Sequence, residues 1–374
     1  MNIGIDIRPL MCPNRTGVGQ YTFELLDALF FTDKENQYYL FYNSYKDLAS
    51  IVPNWSQKNV HIIKTGWPNK IFSFALALGI IKLDNIIIKN KKNSVPHLHY
   101  FFSPNLGFTS VSKKTKQILT VHDLSFKFFP DCFSWKRRIR HVLIRPKKQS
   151  QKADIILTPS KNTKKDIVTG FCIDENKIKV IYPGVNITKT TDNNKQIIKK
   201  YNLPPKFILY LGTLEPRKNI LGVVEAYKKS LLIEKGYSLV IAGKIGWNYA
   251  KIISAINSTP GVKYIEYVHE SDKTTIYTLS SLFVFPSLYE GFGLPVLEAM
   301  SKGVPVITSN RSSLPEVTGR AAYLVNPMNI TEISLGMAHI LSHHTIRKSL
   351  IEKGKNRAQI YSWQNAAKTF LSLL

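Results

Sequence analysis

Apolar residues along this chain alternate between short continuous runs and longer stretches with helical spacing. In the first half, the short runs predict buried strands, and the periodic stretch at residues 22–31 predicts a helix. The strands predicted in this half cover residues 3–7, 38–42, 60–64, 117–121, 154–159 and 178–182. Ser160 follows the fifth of these strands and is placed to cap the next helix.

The second half repeats the same alternation, with strands predicted at residues 207–211, 238–242, 262–267, 281–285 and 304–308. Repeated alternation of strand and helix predicts a parallel sheet with helices on both faces. A chain of 374 residues is too long for one ordinary core. We therefore predict an α/β protein with two Rossmann-like, doubly wound domains that face a central cleft. The predicted parts are a first domain (1–184), a polar linker (185–205), a second domain (206–360) and an amphipathic helix near 361–374 that packs back on the first domain.

Composition restricts the class of protein. An apolar share of 44% and a charged share of 20% are typical of a folded globular chain. The 3 cysteines are dispersed without metal or redox spacing, which argues against a disulfide framework and fits the cytoplasm. Residues 1–6 lack the pattern of a signal peptide. The longest apolar stretch, 71–81, is well short of the roughly 20 residues that a membrane span needs.

The charge balance is strongly basic, with a formal net charge of +26 and a pI of 9.8. Such an excess attracts anionic partners such as nucleic acid, acidic lipid head groups and phosphorylated substrates. Residues 136–152 contain eight Lys or Arg and no acid, with apolar residues between them. This segment predicts a basic amphipathic helix on an anionic membrane surface. The alternative is a solvated helix flank on a protein with many surface lysines.

Two carboxylates, Glu290 and Glu298, stand eight positions apart after the strand predicted at 281–285. Between them lies a Gly-Phe-Gly loop, and Pro295 suits the first turn of a helix. Glycine permits positive φ and the close approach of a ligand. Glu290 is therefore predicted on a loop at the carboxyl end of a strand, and Glu298 one turn into the next helix. Ligands bind at that edge of an open α/β sheet, where two carboxylates can hold hydroxyl pairs of a sugar or ribose.

A second motif, Gly-Thr-Leu-Glu-Pro-Arg-Lys-Asn, starts at Gly212 directly after the strand predicted at 207–211. Arg217 offers a planar fork of donors to phosphate oxygens, and Lys218 offers a mobile point charge. A helix N-terminus adds partial positive charge. This motif is predicted to bind a diphosphate. The alternative is a solvent-exposed basic turn.

Two weaker signals lie in the first half. Gly17 and Gly19 form a Gly-x-Gly pattern after the first strand, but the full dinucleotide fingerprint and its acidic partner are missing, which excludes a nicotinamide enzyme. His122 ends the strand predicted at 117–121 and precedes Asp123, so it can orient or polarise a substrate hydroxyl. The pair His97 and His99 is predicted to be structural. No cluster has metal-ligand spacing, and no metal site is predicted.

With these motifs in place, the chain resembles the large family of retaining glycosyltransferases with the GT-B fold, a group that holds many bacterial mannosyltransferases. The resemblance covers nearly the whole chain and is strongest from residue 206 to residue 327. Glu-Gly-Phe-Gly-Leu-Pro with a second Glu eight positions after the first is its most specific motif. The opening of the chain and Val121–His122–Asp123 are similar to the branch that uses GDP-mannose.

The resemblance implies a role for each matching position. His122, Arg217, Lys218 and Glu290 are the implied catalytic residues: His122 near the reacting carbon, the two cations on the donor diphosphate, and Glu290 on the transferred sugar. Glu298 is implied to bind the ribose and Val268 the base through its backbone, although Glu266 departs from a glycine common in relatives. The remaining residues implied at the donor are Gly17, Gly19, Gly212, Gly291, Phe292, Gly293 and Leu294.

The function implied is metal-independent transfer of mannose from GDP-mannose, with retention, onto a lipid-linked or oligosaccharide acceptor in synthesis of O-antigen or capsule. The resemblance implies no cofactor other than this donor substrate, and a cytoplasmic place at the inner face of the membrane. A UDP-sugar or dTDP-rhamnose donor is the close alternative. A non-catalytic binder of nucleic acid or acidic polymer is the distant alternative; the chemistry of the two motifs argues against nucleic acid as a partner.

Overall fold

The computed structural model describes residues 1–48, 50–90, 95–186 and 194–374. The chain divides into two compact units. The first unit comprises Met1–Leu124, Lys136–Gly184 and Trp363–Leu374, and the second comprises Ser125–Trp135 and Val185–Ser362. Each unit contains one parallel sheet, so the predicted α/β class with two doubly wound sheets is confirmed.

The first unit is built on a seven-stranded parallel sheet in the order β3-β2-β1-β4-β5-β6-β7. The strands are β1 (Asn2–Asp6), β2 (Gln37–Asn43), β3 (Val60–Thr65), β4 (Tyr100–Ser103), β5 (Lys116–Thr120), β6 (Ile155–Thr158) and β7 (Ile178–Val180). The inner strands are largely apolar and buried, because helices cover both faces of a parallel sheet. The strand order reverses between β1 and β4, which places the switch point of this sheet at their carboxyl ends.

Helices connect these strands and cover the sheet. They are α1 (Gly17–Thr32), α2 (Asn69–Leu78), α3 (Leu83–Ile88), α5 (Trp135–Ile144), α6 (Pro146–Lys152), α7 (Lys161–Phe171) and α16 (Trp363–Leu371). The predicted cap of α7 is confirmed, since the Ser160 hydroxyl accepts the Thr163 N–H at 3.0 Å. The basic segment 136–152 forms two helices, α5 and α6, because Arg145 takes a left-handed backbone with φ 54° and proline follows it.

The C-terminal helix α16 packs against α1 within the first unit. The ring of Trp363 lies 5.7 Å from that of Tyr21, and the ring of Phe370 lies 4.9 Å from that of Phe102. Both residues of α16 are buried. This helix therefore completes the core of the first unit, whose other helices and strands all precede Val185.

The second unit has a six-stranded parallel sheet in the order β10-β9-β8-β11-β12-β13. The strands are β8 (Phe207–Leu211), β9 (Ser238–Ala242), β10 (Val262–Ile265), β11 (Leu282–Phe285), β12 (Val306–Ser309) and β13 (Tyr323–Val325). The helices are α4 (Ser125–Phe128), α8 (Asn194–Tyr201), α9 (Ile220–Ser230), α10 (Ala250–Ser258), α11 (Glu270–Leu279), α12 (Leu294–Ser301), α13 (Leu314–Thr318), α14 (Ile330–Ser342) and α15 (His344–Gln359). Because β8 pairs with β11, the loops that follow these two strands lie side by side at the carboxyl edge.

The structure differs from the sequence-based element bounds in a few places. Strands β4 and β13 were not predicted, because a run of three or four residues carries too little periodicity to stand out. All the strands that were predicted agree with the structure to within two residues at each end. Residues 187–193 of the predicted linker lie outside the described residues, and 194–201 forms α8. The segment 125–135, predicted within the first domain, packs in the second unit. Across the described ranges, no helix is long and apolar enough to cross a membrane.

Candidate active site

The loop after β8 carries the two predicted phosphate-binding cations. Residues Pro216–Lys218 form a single turn of 3-10 helix, and α9 begins only after it, at Ile220. Asn219 lies between them with left-handed backbone, and its side-chain amide donates to the carbonyl of Pro286 at 3.1 Å. Arg217 and Lys218 are therefore held by a tight turn tied to the loop after β11, rather than standing at the start of a long helix.

The turn Pro216–Lys218, which we call the cation turn, contacts Glu290 directly through its two cations. Lys218 Nζ lies 2.6 Å from Glu290 Oε1, and Arg217 Nη1 lies 3.3 Å from Glu290 Oε2. The Ser287 hydroxyl donates to the same carboxylate at 2.6 Å. Glu290 is only 7% exposed. Burial opposes its ionisation, but the charges of Lys218 and Arg217 outweigh that cost, so the pKa of Glu290 is lowered.

A second carboxylate, Glu215, fixes the other end of the arginine. Arg217 Nη2 lies 2.8 Å from Glu215 Oε1, and Nη1 donates to the Tyr289 carbonyl at 2.6 Å. Glu215 is almost completely buried. Two cations and two carboxylates thus form one network, which we call the Arg–Lys–Glu network (Glu215, Arg217, Lys218 and Glu290). Its formal charge sums to zero, and its geometry is fixed by mutual contacts.

The loop after β11 is shaped by one glycine and by the loop after β12. Gly293 has φ 102°, and a Cβ there would lie 2.6 Å from the Leu314 side chain, so only glycine fits. The Glu290 N–H donates to the Ser312 hydroxyl at 2.8 Å, and the Ser313 hydroxyl donates to the Glu290 carbonyl at 2.9 Å. Of the two glycines in this loop, Gly293 uses the positive φ that glycine permits. Hydrogen bonds from the neighbouring loop therefore set the orientation of Glu290.

The other predicted members of this loop lie at the start of α12. The ring of Phe292 is buried and packs edge-on against Tyr361 at 5.5 Å. Leu294 is the first residue of α12, and Gly291 directly follows Glu290. Gly212 immediately follows β8, where its N–H donates to the Ala242 carbonyl at 2.9 Å.

Glu298 lies on α12, as predicted, but it joins a different polar group. Its Oε2 accepts the Tyr277 hydroxyl at 2.8 Å, and its Oε1 lies 3.9 Å from Lys273 Nζ. Burial alone lowers the pKa of Lys273, but the charges of Glu298 and Glu270 outweigh burial and raise it. Val268 is buried just before α11, the helix that carries Tyr277 and Lys273. The structure therefore brings Arg217, Lys218 and Glu290 into direct contact and pairs Glu298 with α11.

In the first unit, His122 lies at the carboxyl end of β5. Its Nε2–H donates to the Pro104 carbonyl at 2.8 Å, which leaves Nδ1 as the acceptor of the neutral ring. Burial lowers the pKa of His122, despite the Pro104 carbonyl and the charge of Asp123. Its ring stands edge-on to that of Tyr21 at 4.7 Å, and burial raises the pKa of Tyr21 to about 12.

The Gly-x-Gly pair opens α1, the helix that carries Tyr21. A Cβ at Gly19 would lie 3.1 Å from the Pro9 carbonyl, so a larger residue would press on the backbone. A Cβ at Gly17 would meet open space. The two glycines thus lie in the first turn of the helix whose Tyr21 packs against His122.

Sequence reasoning assigned no role to several residues of these networks. Glu215 stands inside a motif that was recognised, two positions before Arg217, so its acidic charge was a visible signal. Ser287 likewise precedes Glu290 by three positions. Tyr277 and Lys273 carried no signal, because α11 has the polar composition of an ordinary surface helix. Among the residues with described coordinates, no three His, Cys, Asp or Glu side chains come together as metal ligands.

The chain is similar in sequence and in fold to known glycosyltransferases. A family model described as glycosyl transferases group 1 matches residues 192–357, and one described as glycosyltransferase family 4 matches residues 15–189. The O-antigen chain mannosyltransferase B of Escherichia coli is 28% identical over 383 residues, which cover 98% of this chain and 97% of that protein. The serotype-specific mannosyltransferase WbdA of Escherichia coli is 29% identical over 265 residues, 67% of this chain and 32% of that protein. The structure of sucrose-phosphate synthase from Thermosynechococcus elongatus covers 100% of this chain and 98% of its own, with a TM-score of 0.75 at 18% identity, and so shares the fold.

Proposed function

This chain belongs to the glycosyl transferases group 1 and is a glycosyltransferase of polysaccharide synthesis, and we propose that it transfers mannose from GDP-mannose with retention and without a metal ion. The acceptor in this proposal is a lipid-linked or oligosaccharide chain of a cell-surface polysaccharide. Mannose is supported by the O-antigen mannosyltransferase that is similar over nearly the whole chain.

One observation carries the chemistry: Lys218 and Arg217 both contact Glu290 at the carboxyl edge, beside the strand switch of the second sheet. Cations fixed by buried carboxylates need little reorganisation when negative charge develops on a leaving group. In the proposal, Arg217 and Lys218 bind the donor diphosphate, and Glu290 accepts hydrogen bonds from hydroxyls of the sugar. Lys218 has one carboxylate partner in the network, Glu290, whereas Arg217 has two, Glu215 and Glu290.

The proposed reaction is a substitution on one face of the sugar. The acceptor hydroxyl oxygen forms a bond to the anomeric carbon while the bond from that carbon to the phosphate oxygen breaks. The acceptor proton moves to the departing phosphate oxygen, so the diphosphate leaves with the electron pair and the proton together. Arg217 and Lys218 stabilise the charge that grows on this oxygen. No protein nucleophile is required.

The choice of donor base depends on backbone groups near Val268, which the side-chain networks do not fix. A UDP-sugar or dTDP-rhamnose donor remains the second candidate for this reason. The network supports a catalytic site over a simple polyanion binder, since buried carboxylates fix the positions of its two cations at the carboxyl edge of the sheet.

Association with an anionic membrane surface is a further part of the proposal. The basic residues of 136–152 lie mostly exposed on α5 and α6 in the first unit. Basic clusters next to apolar residues bind the negative surface of a bilayer. In the proposal, this association brings the enzyme to the surface where a lipid-linked acceptor is found.

Donor hydrolysis across GDP-, UDP- and dTDP-sugars tests the reaction, with Glu290→Gln as the variant. We expect GDP-mannose to be preferred, and the variant to lose about a hundredfold in kcat/KM, the usual cost of one lost charge-stabilising contact. Glu225→Gln is the matched control, since Glu225 is half-exposed and pairs only weakly with Lys228 at 3.6 Å. Thermal unfolding of both variants separates loss of chemistry from loss of fold.

Each outcome of this experiment decides a different part of the proposal. Preference for a UDP-sugar would correct the donor and leave the transferase intact. Full activity of Glu290→Gln would remove Glu290 from the proposed chemistry. A glycosyl adduct trapped on a side chain would replace the one-face substitution by a two-step reaction.

A further inference from the structure

The first unit contains a cavity of about 310 Å³ that no step of the proposed reaction uses. It lies between the end of α2, the loop after β4, and the helices α5 and α6. Its floor is formed by β5, and all the residues that line it belong to the first unit. The cavity therefore exists within one compact body.

One wall of this cavity is cationic. Arg145, Lys148 and Lys152 line it, all three are exposed, and no carboxylate is among the lining residues. In the described part of the chain, none of the three forms an ion pair with a carboxylate. Gln149 lies between them and ties the wall to the loop after β4, since its amide donates to the Gly107 carbonyl at 2.6 Å. The left-handed turn at Arg145 joins α5 to α6 at the cavity.

Another part of the lining of the same cavity is apolar and reaches the surface. Leu78 at the end of α2 is 60% exposed, and Leu143 on α5 is 57% exposed, yet both line the cavity. The buried face of α2, with Phe72 and Leu76, belongs to the core cluster, so its other face points outward. Large apolar side chains left in water on one surface mark an interaction site.

The exposed apolar residues continue along both helices away from the cavity. On α2 they recur at the spacing of one helix face, and on α5 they do the same between the cations. The residues that form these two stripes are Ile71, Phe74, Leu78, Ile139, Val142 and Leu143, all of them at least half exposed. The sequence had marked only the α5 stripe; α2 adds a second apolar edge to the same cavity.

We infer that this cavity binds the phosphate head group of an anionic phospholipid, with the lipid chains lying on the apolar stripes of α2 and α5. Cationic and exposed apolar side chains line the same cavity, which matches a molecule that carries a phosphate next to hydrocarbon chains. A soluble phosphate matches only the cationic wall. This inference rests on the proposed membrane association and deepens it, from a general attraction of charge to one defined site.

The test uses a short-chain, monomeric phosphatidylglycerol as the probe and compares two neighbouring lysines of α6. Lys148→Gln removes a charge from the cavity wall. Lys147→Gln removes the same charge from an exposed residue of the same helix that does not line the cavity. By calorimetry we expect Lys148→Gln to weaken binding about fivefold, the effect of one cation at an anionic lipid, with Lys147→Gln close to the wild type.

Three further arms decide the nature of the ligand. Short-chain phosphatidylcholine, whose head group has no net charge, should bind more weakly than phosphatidylglycerol. Inorganic phosphate should bind more weakly than the lipid; equal binding would identify a soluble phosphate and overturn the lipid. Flotation with phosphatidylglycerol vesicles should follow the same order of variants. An equal loss of lipid affinity in the two lysine variants would show a diffuse electrostatic attraction and contradict the defined site. The absence of any lipid binding would also contradict it.

Donor hydrolysis, measured in the same variants, separates this inference from the proposed reaction. Both lysines lie outside the Arg–Lys–Glu network, so hydrolysis should match the wild type in each. Selective loss of lipid binding in a protein that hydrolyses no donor would support the cavity and refute the reaction. Normal donor hydrolysis in a protein that binds no lipid would support the reaction and refute the lipid site.

Discussion

Arg217 and Lys218 illustrate how a residue's chemistry depends on its contacts. Their charges alone are typical of a solvated basic turn, but Glu215 and Glu290 bury and hold them. Removal of one partner from a buried ion pair leaves an uncompensated charge, which costs about 3–5 kcal/mol. Each member of the Arg–Lys–Glu network therefore supports the others, and a substitution affects the whole group.

His122 provides a prediction on pH. Its pKa in the folded protein is below the ordinary value of 6.5, because burial disfavours the charged ring. As the pH falls below 6.5, the unfolded chain takes up a proton that the folded protein resists, so the free energy of unfolding decreases. We expect His122→Gln, whose amide can still donate to Pro104, to show a shallower decrease between pH 7 and pH 5 in urea unfolding.

The same substitution at exposed His344 is the control for this experiment. The pKa values of His99 and His141 are also lowered, chiefly by burial, so His122→Gln removes one share of the slope and not all of it. An unchanged slope in His122→Gln would contradict the assignment.

Among the secondary-structure elements, the loops after β8 and β9 are joined by backbone hydrogen bonds next to the cation turn, which carries Arg217 and Lys218. The Leu214 N–H donates to the Lys244 carbonyl at 2.8 Å, and the Gly246 N–H donates to the Leu214 carbonyl at 3.1 Å. The indole of Trp247 then donates to the Cys132 carbonyl at 2.5 Å, which anchors the segment 125–135 in the second unit. Phe129 of that segment packs on Tyr289, beside Glu290, at 5.6 Å. Contacts between elements therefore support the backbone of the candidate site.

Gly243 tests this element packing. It has φ 141°, and a Cβ there would lie 2.0 Å from the Gly212 carbonyl oxygen. We expect Gly243→Ala to lower the free energy of unfolding by about 3 kcal/mol or more, since backbone strain and a steric clash add. Gly236→Ala is the control, because it shares a positive φ of 77° but meets nothing within 4 Å. Its cost should be about 1 kcal/mol in urea unfolding, and equal losses in the two variants would refute the role of the contact.

At the scale of the whole molecule, the chain does not divide at a single point. The first unit includes the last twelve residues of the chain, Trp363–Leu374. The second unit includes Ser125–Trp135, a segment that is flanked in sequence on both sides by residues of the first unit. Phe370, completely buried, is the clearest link of this kind, since it packs on Phe102 of β4. Stability of the first sheet therefore depends on a helix at the far end of the sequence.

Phe370→Ala measures that dependence. The lost contact and the cavity left behind should cost about 3–5 kcal/mol in the first unit. By amide hydrogen exchange, β4 and β5 should lose protection while β8 and β11 keep theirs. Lys368→Ala on the same helix is the control, since that residue is exposed. Equal loss of protection in both units would show that they unfold together and would contradict the prediction.

Much of the fold was accessible from local pattern. The strands at 207–211 and 238–242 were predicted at their observed bounds, because runs of five and four successive apolar residues between polar turns leave little ambiguity. Glycine and proline placed the start of α12, and a single serine placed the start of α7. The short strands β4 and β13 carry too little periodicity to be recognised, and the outward face of α2 depends on neighbours distant in the chain. The break at Arg145 had a local signal in Pro146, which the prediction of one basic helix did not use.

Short segments of sequence specify which residues stand at the carboxyl ends of strands, since strand periodicity, turn residues and charge are local properties. Which of those residues meet depends on how the whole chain folds. Lys218 and Glu290 are 72 positions apart and touch because β8 pairs with β11, whereas Glu298, on the helix that follows, turns to Tyr277 and Lys273. Strand order and helix packing arise from burial of the whole chain, and no local pattern contains them.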